Sequence, residues 1–210
     1  GFEPLVLLGL SHNALTRLPA SMASLVTLRL LDLRNNALGE LPDMLSQLPV
    51  LFKLNVSDNK IQQLPASLFD LNALKDFNAD RNELTGFATP SPAQLKNAKR
   101  SRLLPSLTTI SLVSNKLRAI PEVLFSLPRL LLLDVTDNQL VSIPPSIGKL
   151  KNSLCVFSAG MNALEELPVE LFACKRLQEL SVPCNTIRVL PSKVLSLSSL
   201  WKLHVGDNEL

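Results

Sequence analysis

The chain has 210 residues, 46% hydrophobic and 19% charged, with a formal net charge of +3. No run of about 18 apolar residues occurs, which excludes a membrane-spanning helix. Two histidines and seven glycines leave little material for a catalytic constellation or a glycine-rich phosphate loop.

The apolar residues recur with a fixed period. Nine asparagines share one frame, Asn13, Asn36, Asn59, Asn82, Asn115, Asn138, Asn162, Asn185 and Asn208, at steps of 23, 23, 23, 33, 23, 24, 23 and 23 residues. Each lies in the pattern L-x-x-L-x-L-x-x-N-x-L, as in Leu28, Leu31, Leu33, Asn36 and Leu38. A period in this range marks a repeat architecture. In chain order, the alternation at Leu31 and Leu33, Leu54 and Val56, and Leu133 and Val135 predicts short strands with one buried face. The asparagine that follows carries one acceptor and two donors. Stacked coil upon coil, these amides are expected to form a ladder that satisfies the turn's backbone groups. Asn35, one position before the ladder, is expected to matter little to stability. Each unit continues through L-P-x-x-L-x-x-L, as in Leu41, Pro42, Leu45 and Leu48. Apolar residues three apart suit a short 3₁₀ or helical turn, with the proline at its first helical position. The proline recurs at Pro19, Pro42, Pro65, Pro121, Pro144, Pro168 and Pro191, while the fourth unit has Ala88 there.

This pattern resembles the leucine-rich repeat superfamily, from Leu5 to Leu210. Its 23-residue form is similar to the intracellular "LP" repeats of Ras-associated scaffolds, plant Ras-group-related repeat proteins and Scribble-like polarity proteins. The resemblance implies an α/β solenoid, a leucine-rich repeat arc with a parallel β-sheet on the concave face and short 3₁₀ or helical turns on the convex face. One solenoid of about nine units is expected over 1–210. Leu5 already occupies the first strand position and no polar capping unit is visible at either end, so both ends read as truncated.

Two units depart from the period. The fourth contains ten extra residues, and the 85–106 segment carries Lys96, Lys99, Arg100 and Arg102 with no acid, leaving the rest of the chain slightly negative. Thr89 and Ser91 each precede a proline there, and phosphates on them would cancel most of that positive charge. A regulated contact is therefore expected at Thr89, Ser91, Lys96, Lys99, Arg100 and Arg102. The seventh unit follows a one-residue insertion near 151–153. Both units use phenylalanine and alanine in the strand, Phe77 with Ala79 and Phe157 with Ala159, a swap that keeps core volume nearly constant.

The three cysteines, Cys155, Cys174 and Cys184, do not cluster and match no zinc spacing. Cys174 stands at a leucine position and reads as a small buried hydrophobe. A reducing, cytoplasmic setting is expected. No cofactor, metal or small-molecule substrate is implied. A nucleic-acid partner is not expected, because the basic segment carries only Phe87 as an aromatic.

The concave face remains as the candidate site. Its outward columns are charged in the early units and more apolar in the later ones, a combination suited to binding protein. The residues proposed to meet a partner are Arg34, Lys53, Asp58, Asp80, Arg81, Val113, Leu132, Asp134, Asp137 and Met161. Asp58 and Arg81 share a column in neighbouring units and are expected to pair. A non-catalytic protein-interaction scaffold within a larger assembly is the function expected. The alternatives are a recognition arm of a multidomain enzyme of phosphatase, cyclase or ubiquitin-ligase type, and a structural subunit of a cytoskeletal or ciliary complex.

Overall fold

The computed structural model describes residues 4–88 and 103–210. Thr89, Ser91, Lys96, Lys99, Arg100 and Arg102 lie outside the described residues. The chain forms two compact units, 1–108 and 109–210.

In the first unit, strands β1 (Leu7–Gly9), β2 (Leu30–Asp32), β3 (Lys53–Asn55) and β5 (Asp76–Asn78) form a parallel ladder. Its register places Leu31, Leu54 and Phe77 side by side, all buried, while the residues flanking each keep partial exposure. This is the period-2 pattern expected of a sheet with one buried face. The 3₁₀ segments η1 (Ala20–Ser24), η2 (Asp43–Gln47) and η3 (Ala66–Asp70) follow β1, β2 and β3. Each turns a buried leucine or methionine inward, Met22, Leu45 and Leu68.

A second, two-stranded parallel sheet was not foreseen from the sequence. It pairs β4 (Gln63–Leu64) with β6 (Gly86–Phe87). Proline lacks the amide donor that would extend such a ladder. Ala88, standing where other units have proline, supplies one, and its N–H donates to the Leu64 carbonyl at 2.9 Å. Phe87 stacks on Phe69 with ring centroids 6.2 Å apart. Buried Leu104 then donates its N–H to the Phe69 carbonyl and rejoins the frame.

The second unit repeats the plan with β7 (Thr109–Ser111), β8 (Leu132–Asp134), β9 (Val156–Ser158), β10 (Glu179–Ser181) and β11 (Lys202–His204) in parallel register. Its 3₁₀ segments are η4 (Glu122–Ser126), η5 (Pro145–Leu150), η6 (Val169–Ala173) and η7 (Ser192–Ser196). The insertion at 151–153 follows η5, which runs six residues where η4, η6 and η7 run five. Helical dihedrals continue into Lys151, so the extra residue is taken up as turn rather than strand. Phe157 and Ala159 are both fully buried, as the volume argument requires.

One local expectation is corrected. The recurrent proline sits one position ahead of the 3₁₀ segment, in extended backbone, as at Pro42 with φ −75° and ψ 145°. Its carbonyl accepts the first helical bond, from Leu45 N–H at 3.2 Å. That is the geometry of a capping position, where the chain is still extended but the carbonyl is already used. Pro145, beside Pro144, is the one proline at a first helical position among the described 3₁₀ segments.

Candidate functional site

The strand face owes its rigidity to the turn that follows each strand. Asn138 shows the device in full. Its side-chain amide donates to the carbonyls of Val135 and Thr136 in its own coil at 3.0 and 3.2 Å, and to Leu112 of the preceding coil at 3.0 Å. Its oxygen accepts the Leu117 N–H at 3.0 Å. Asn59, Asn82, Asn162, Asn185 and Asn208 make the equivalent bonds. One side chain thus fixes two coils, and no buried side-chain polar atom among the described residues lacks a partner.

The residue before each ladder asparagine adopts left-handed backbone, a feature the sequence reading missed. His12, Asn35, Asp58, Arg81, Ser114, Asp137, Met161, Cys184 and Asp207 all have φ between 48° and 58°. Seven of their N–H groups, those of His12, Asn35, Asp58, Ser114, Asp137, Met161 and Cys184, continue the ladder into the next coil, as Met161 N–H does to the Pro183 carbonyl at 2.8 Å. Asn35, Asp58, Asp137 and Asp207 suit this backbone, whereas Arg81, Ser114, Met161 and Cys184 are held in a conformation that their types do not favour.

In the first unit the face is dominated by ion pairs. Arg81 meets Asp58 through both its Nε and its Nη2, the latter at 2.9 Å, a two-point contact. The hydrogen-bonded guanidinium of Arg81 holds the Asp58 carboxyl below its usual value, against the opposing effect of burial and with a smaller contribution from the Ser57 hydroxyl. Asp58 in turn raises Arg81. This pair was expected from the shared column. Two others were not drawn from it, although the same spacing carried the signal: Lys53 with Asp76 at 2.7 Å here, and Lys202 with Glu179 at 2.9 Å in the second unit. Arg34 is exposed and bonds within its own coil to Asp32 at 3.3 Å. Asp80 is half-buried and accepts from Asn78 Nδ2 at 3.0 Å.

In the second unit the face is more apolar. Leu132 and Val156 are register neighbours, both half-buried. Val113 is half-buried, and Met161 is 54% exposed. Gly160 is enforced by packing, since a Cβ there would lie 2.9 Å from Pro183 Cδ. Asp137 is exposed at the rim. Asp134 has a structural duty the sequence reading did not assign. Its Oδ1 accepts the Thr136 N–H at 3.0 Å, a local turn that Asp32, Asn55 and Asn78 also make. Only part of its carboxylate faces outward chemistry. Arg34, Lys53, Asp58, Asp80 and Arg81 thus belong to the first unit, and Val113, Leu132, Asp134, Asp137 and Met161 to the second.

No group of three His, Cys, Asp or Glu side chains among the described residues is placed to hold a metal. No described helix is long and apolar enough to cross a membrane. All three thiols are free, with Cys174 buried, Cys155 half-buried and Cys184 exposed.

Residues 27–48 match the family model described as Leucine Rich Repeat. Over 145 residues the chain is 30% identical to osteomodulin of Bos taurus, covering 61% of this chain and 34% of osteomodulin. A leucine-rich repeat protein of Leptospira interrogans has a similar structure, with a TM-score of 0.73 at 32% identity, over 95% of this chain and 54% of that one. YopM from Yersinia enterocolitica gives a TM-score of 0.69 at 29% identity, over 100% of this chain and 39% of its own. The chain therefore spans about a third of osteomodulin and about half of the Leptospira protein.

Proposed function

We propose, on the premise that this chain is a member of the leucine-rich repeat superfamily, that its strand faces bind a partner protein within a larger assembly. Proteins of this superfamily are generally interaction scaffolds, and the chain carries the same repeated architecture. The observation that carries the reading is the second unit's face, which presents half-buried Val113, the register neighbours Leu132 and Val156, and exposed Met161. Apolar side chains at a rigid surface bury area at little cost in ordering, which suits them to anchor a partner. The first unit's own face, with Arg34, Lys53, Asp58, Asp80 and Arg81, is charged, and its contacts would carry orientation and selectivity, as charged residues commonly do.

The 23-residue intracellular repeat type and a cytoplasmic location belong to the same reading, supported by three unpaired thiols. The test is affinity capture with quantitative mass spectrometry, comparing the wild type with Leu132→Asp/Met161→Asp and with Lys149→Glu on η5. A partner lost with the first variant and kept with the second is the expected result. A partner retained by both would place the contact away from the strand face.

A further inference from the structure

The residue immediately before each strand forms a column outside the sheet face, and in the first unit it reads Val6, Arg29, Phe52 and Lys75. Its backbone is fixed. The Phe52 carbonyl accepts two N–H groups from the next coil, Lys75 at 2.9 Å and Asp76 at 3.2 Å. The Phe52 ring nevertheless stays outside the core, 45% exposed, beside Val50 at 39%. Together with Ala73 and Ser106 these residues line a cleft of about 510 Å³. Phe52 and Val50 thus form a small contiguous apolar patch at a concave part of the surface, unlike the exposed apolar residues scattered elsewhere.

The charge of the cleft narrows what would fill it. Arg29 and Lys75 are both exposed and both line it, and no carboxylate does. Lys75 Nζ lies 5.2 Å from the Phe52 ring centroid, over its face. The nearest acid in sequence, Asp76, is already held by Lys53 at 2.7 Å. Neither Arg29 nor Lys75 has an ion-pair partner among the described residues. The two cations lie two strands apart, about 9–10 Å at the usual strand spacing. An extended peptide covers that distance in about three residues.

We infer that this cleft is a second recognition site, distinct from the strand face, for an extended peptide segment with an apolar side chain bracketed by two carboxylates. The apolar group lies against Phe52 and Val50, and the carboxylates meet Arg29 and Lys75. An acidic segment also fits the electrostatics on approach, since the cleft carries one sign of charge only. The inference goes beyond the strand-face reading and does not depend on it.

The experiment is selection of a phage-displayed random dodecapeptide library on the full chain, followed by anisotropy measurements on the synthesised consensus peptide. The expected consensus has two acidic residues about three positions apart around a leucine, phenylalanine or similar residue. Phe52→Ala should weaken that peptide at least tenfold, and Arg29→Glu/Lys75→Glu should weaken it further. Binding should fall as salt rises from 50 to 500 mM. Lys149→Glu/Lys193→Glu, which makes the same charge change on η5 and η7, should leave affinity unchanged. Circular dichroism confirms that each variant folds, and Phe52→Leu, which keeps an apolar group, should retain most of the affinity. A library that yields no consensus, a basic consensus, or peptides that bind the Phe52→Ala and charge-reversed proteins equally well overturns the site. Each of these outcomes leaves the strand-face capture experiment standing or falling by itself.

Discussion

Two columns of this molecule, one residue apart, answer to opposite demands. The ladder asparagines are all alike because each side chain must supply one acceptor and two donors to two coils at once. The column before them is alike only in backbone. Its nine residues share φ between 48° and 58°, yet beside the asparagine, aspartates and histidine that visit this region readily they include Arg81, Ser114, Met161 and Cys184, types that do not. The N–H groups of His12, Asn35, Asp58, Ser114, Asp137, Met161 and Cys184 each continue the ladder into the next coil, so neighbouring coils help to impose the conformation without dictating the side chain. Where structure dictates the side chain, it is uniform. Where structure dictates only the backbone, the side chain varies and is open to selection for binding.

The widest separation should appear in thiol chemistry. Cys184 lies in the variable column and is exposed, while Cys174 is fully buried in the core. Burial raises the Cys174 thiol to about 11. At pH 8 that leaves only about one Cys174 in a thousand as the reactive thiolate, before its lack of access is counted. Iodoacetamide at pH 8, followed by peptide mass spectrometry, should modify Cys184 long before Cys174. Equal labelling under native conditions would mean that the variable column is not displayed as described.

Stability should separate the columns next. Asn138→Ala removes four hydrogen bonds and leaves half-buried backbone groups unpaired, so a loss of about 1–3 kcal/mol is expected in urea denaturation. Asn35→Ala should cost about 1 kcal/mol, for a different reason. Asn tolerates the left-handed region and alanine does not, by roughly 1–2 kcal/mol. Its bond to His12 Nδ1 at 2.7 Å is exposed and adds little. A negligible loss at Asn35, as the sequence reading expects, would show that the backbone conformation costs nothing there.

Met161→Gly sharpens the same point with a gain. Glycine adopts φ of 53° without strain, though it also adds entropy to the unfolded chain. The methionine is more than half exposed, so little apolar burial is lost. A net stabilisation of somewhat under 1 kcal/mol is expected, measured as a higher urea midpoint with an unchanged slope. Any destabilisation would indicate that the Met161 side chain contributes more to the fold than its exposure implies.

The sequence carried the ladder, the strands and the 3₁₀ segments because each is written as a residue type at a fixed step. Asn138, Leu133 and Leu124 needed only counting. The left-handed column was only half legible: Asn, Asp or His stands at five of its nine positions, but Arg81, Ser114, Met161 and Cys184 do not mark it, and its cause lies in bonds from one coil to the next. The β4–β6 sheet was half legible. Ala88 was seen to replace a proline, but the donor that this frees matters only once Leu64 is known to lie opposite. Among the candidate site residues, Asp58 and Arg81 were found by column. The column places Asp134 on the face, but its bond to the Thr136 N–H is a matter of side-chain rotamer, which spacing does not carry. Phe52 was overlooked for a related reason. It precedes the strand, in a column that the repeat pattern leaves unspecified.

The smallest effect tests whether side chains in the variable column contribute anything of their own to stability. Asp58 and Arg81 both occupy left-handed backbone and meet in a two-point contact, but Arg81 is 62% exposed and Asp58 34%. At that exposure an ion pair contributes about 0–1 kcal/mol. Asp58→Asn removes the charge while keeping a residue that suits the left-handed backbone, so it isolates the pair from the conformational term. Arg81 depresses the folded-state Asp58 carboxyl below its ordinary value of 3.8. The sign follows directly: the unfolded chain binds the proton more readily, so the contribution is fully present above about pH 4 and is lost as pH falls through the folded value. The wild type should exceed Asp58→Asn by up to about 1 kcal/mol at pH 7, with the gap closing toward pH 3 and shrinking in 1 M salt. If the gap persists unchanged at low pH and high salt, the difference does not come from the charge of Asp58, and the variable column would carry structural weight that its exposure does not suggest.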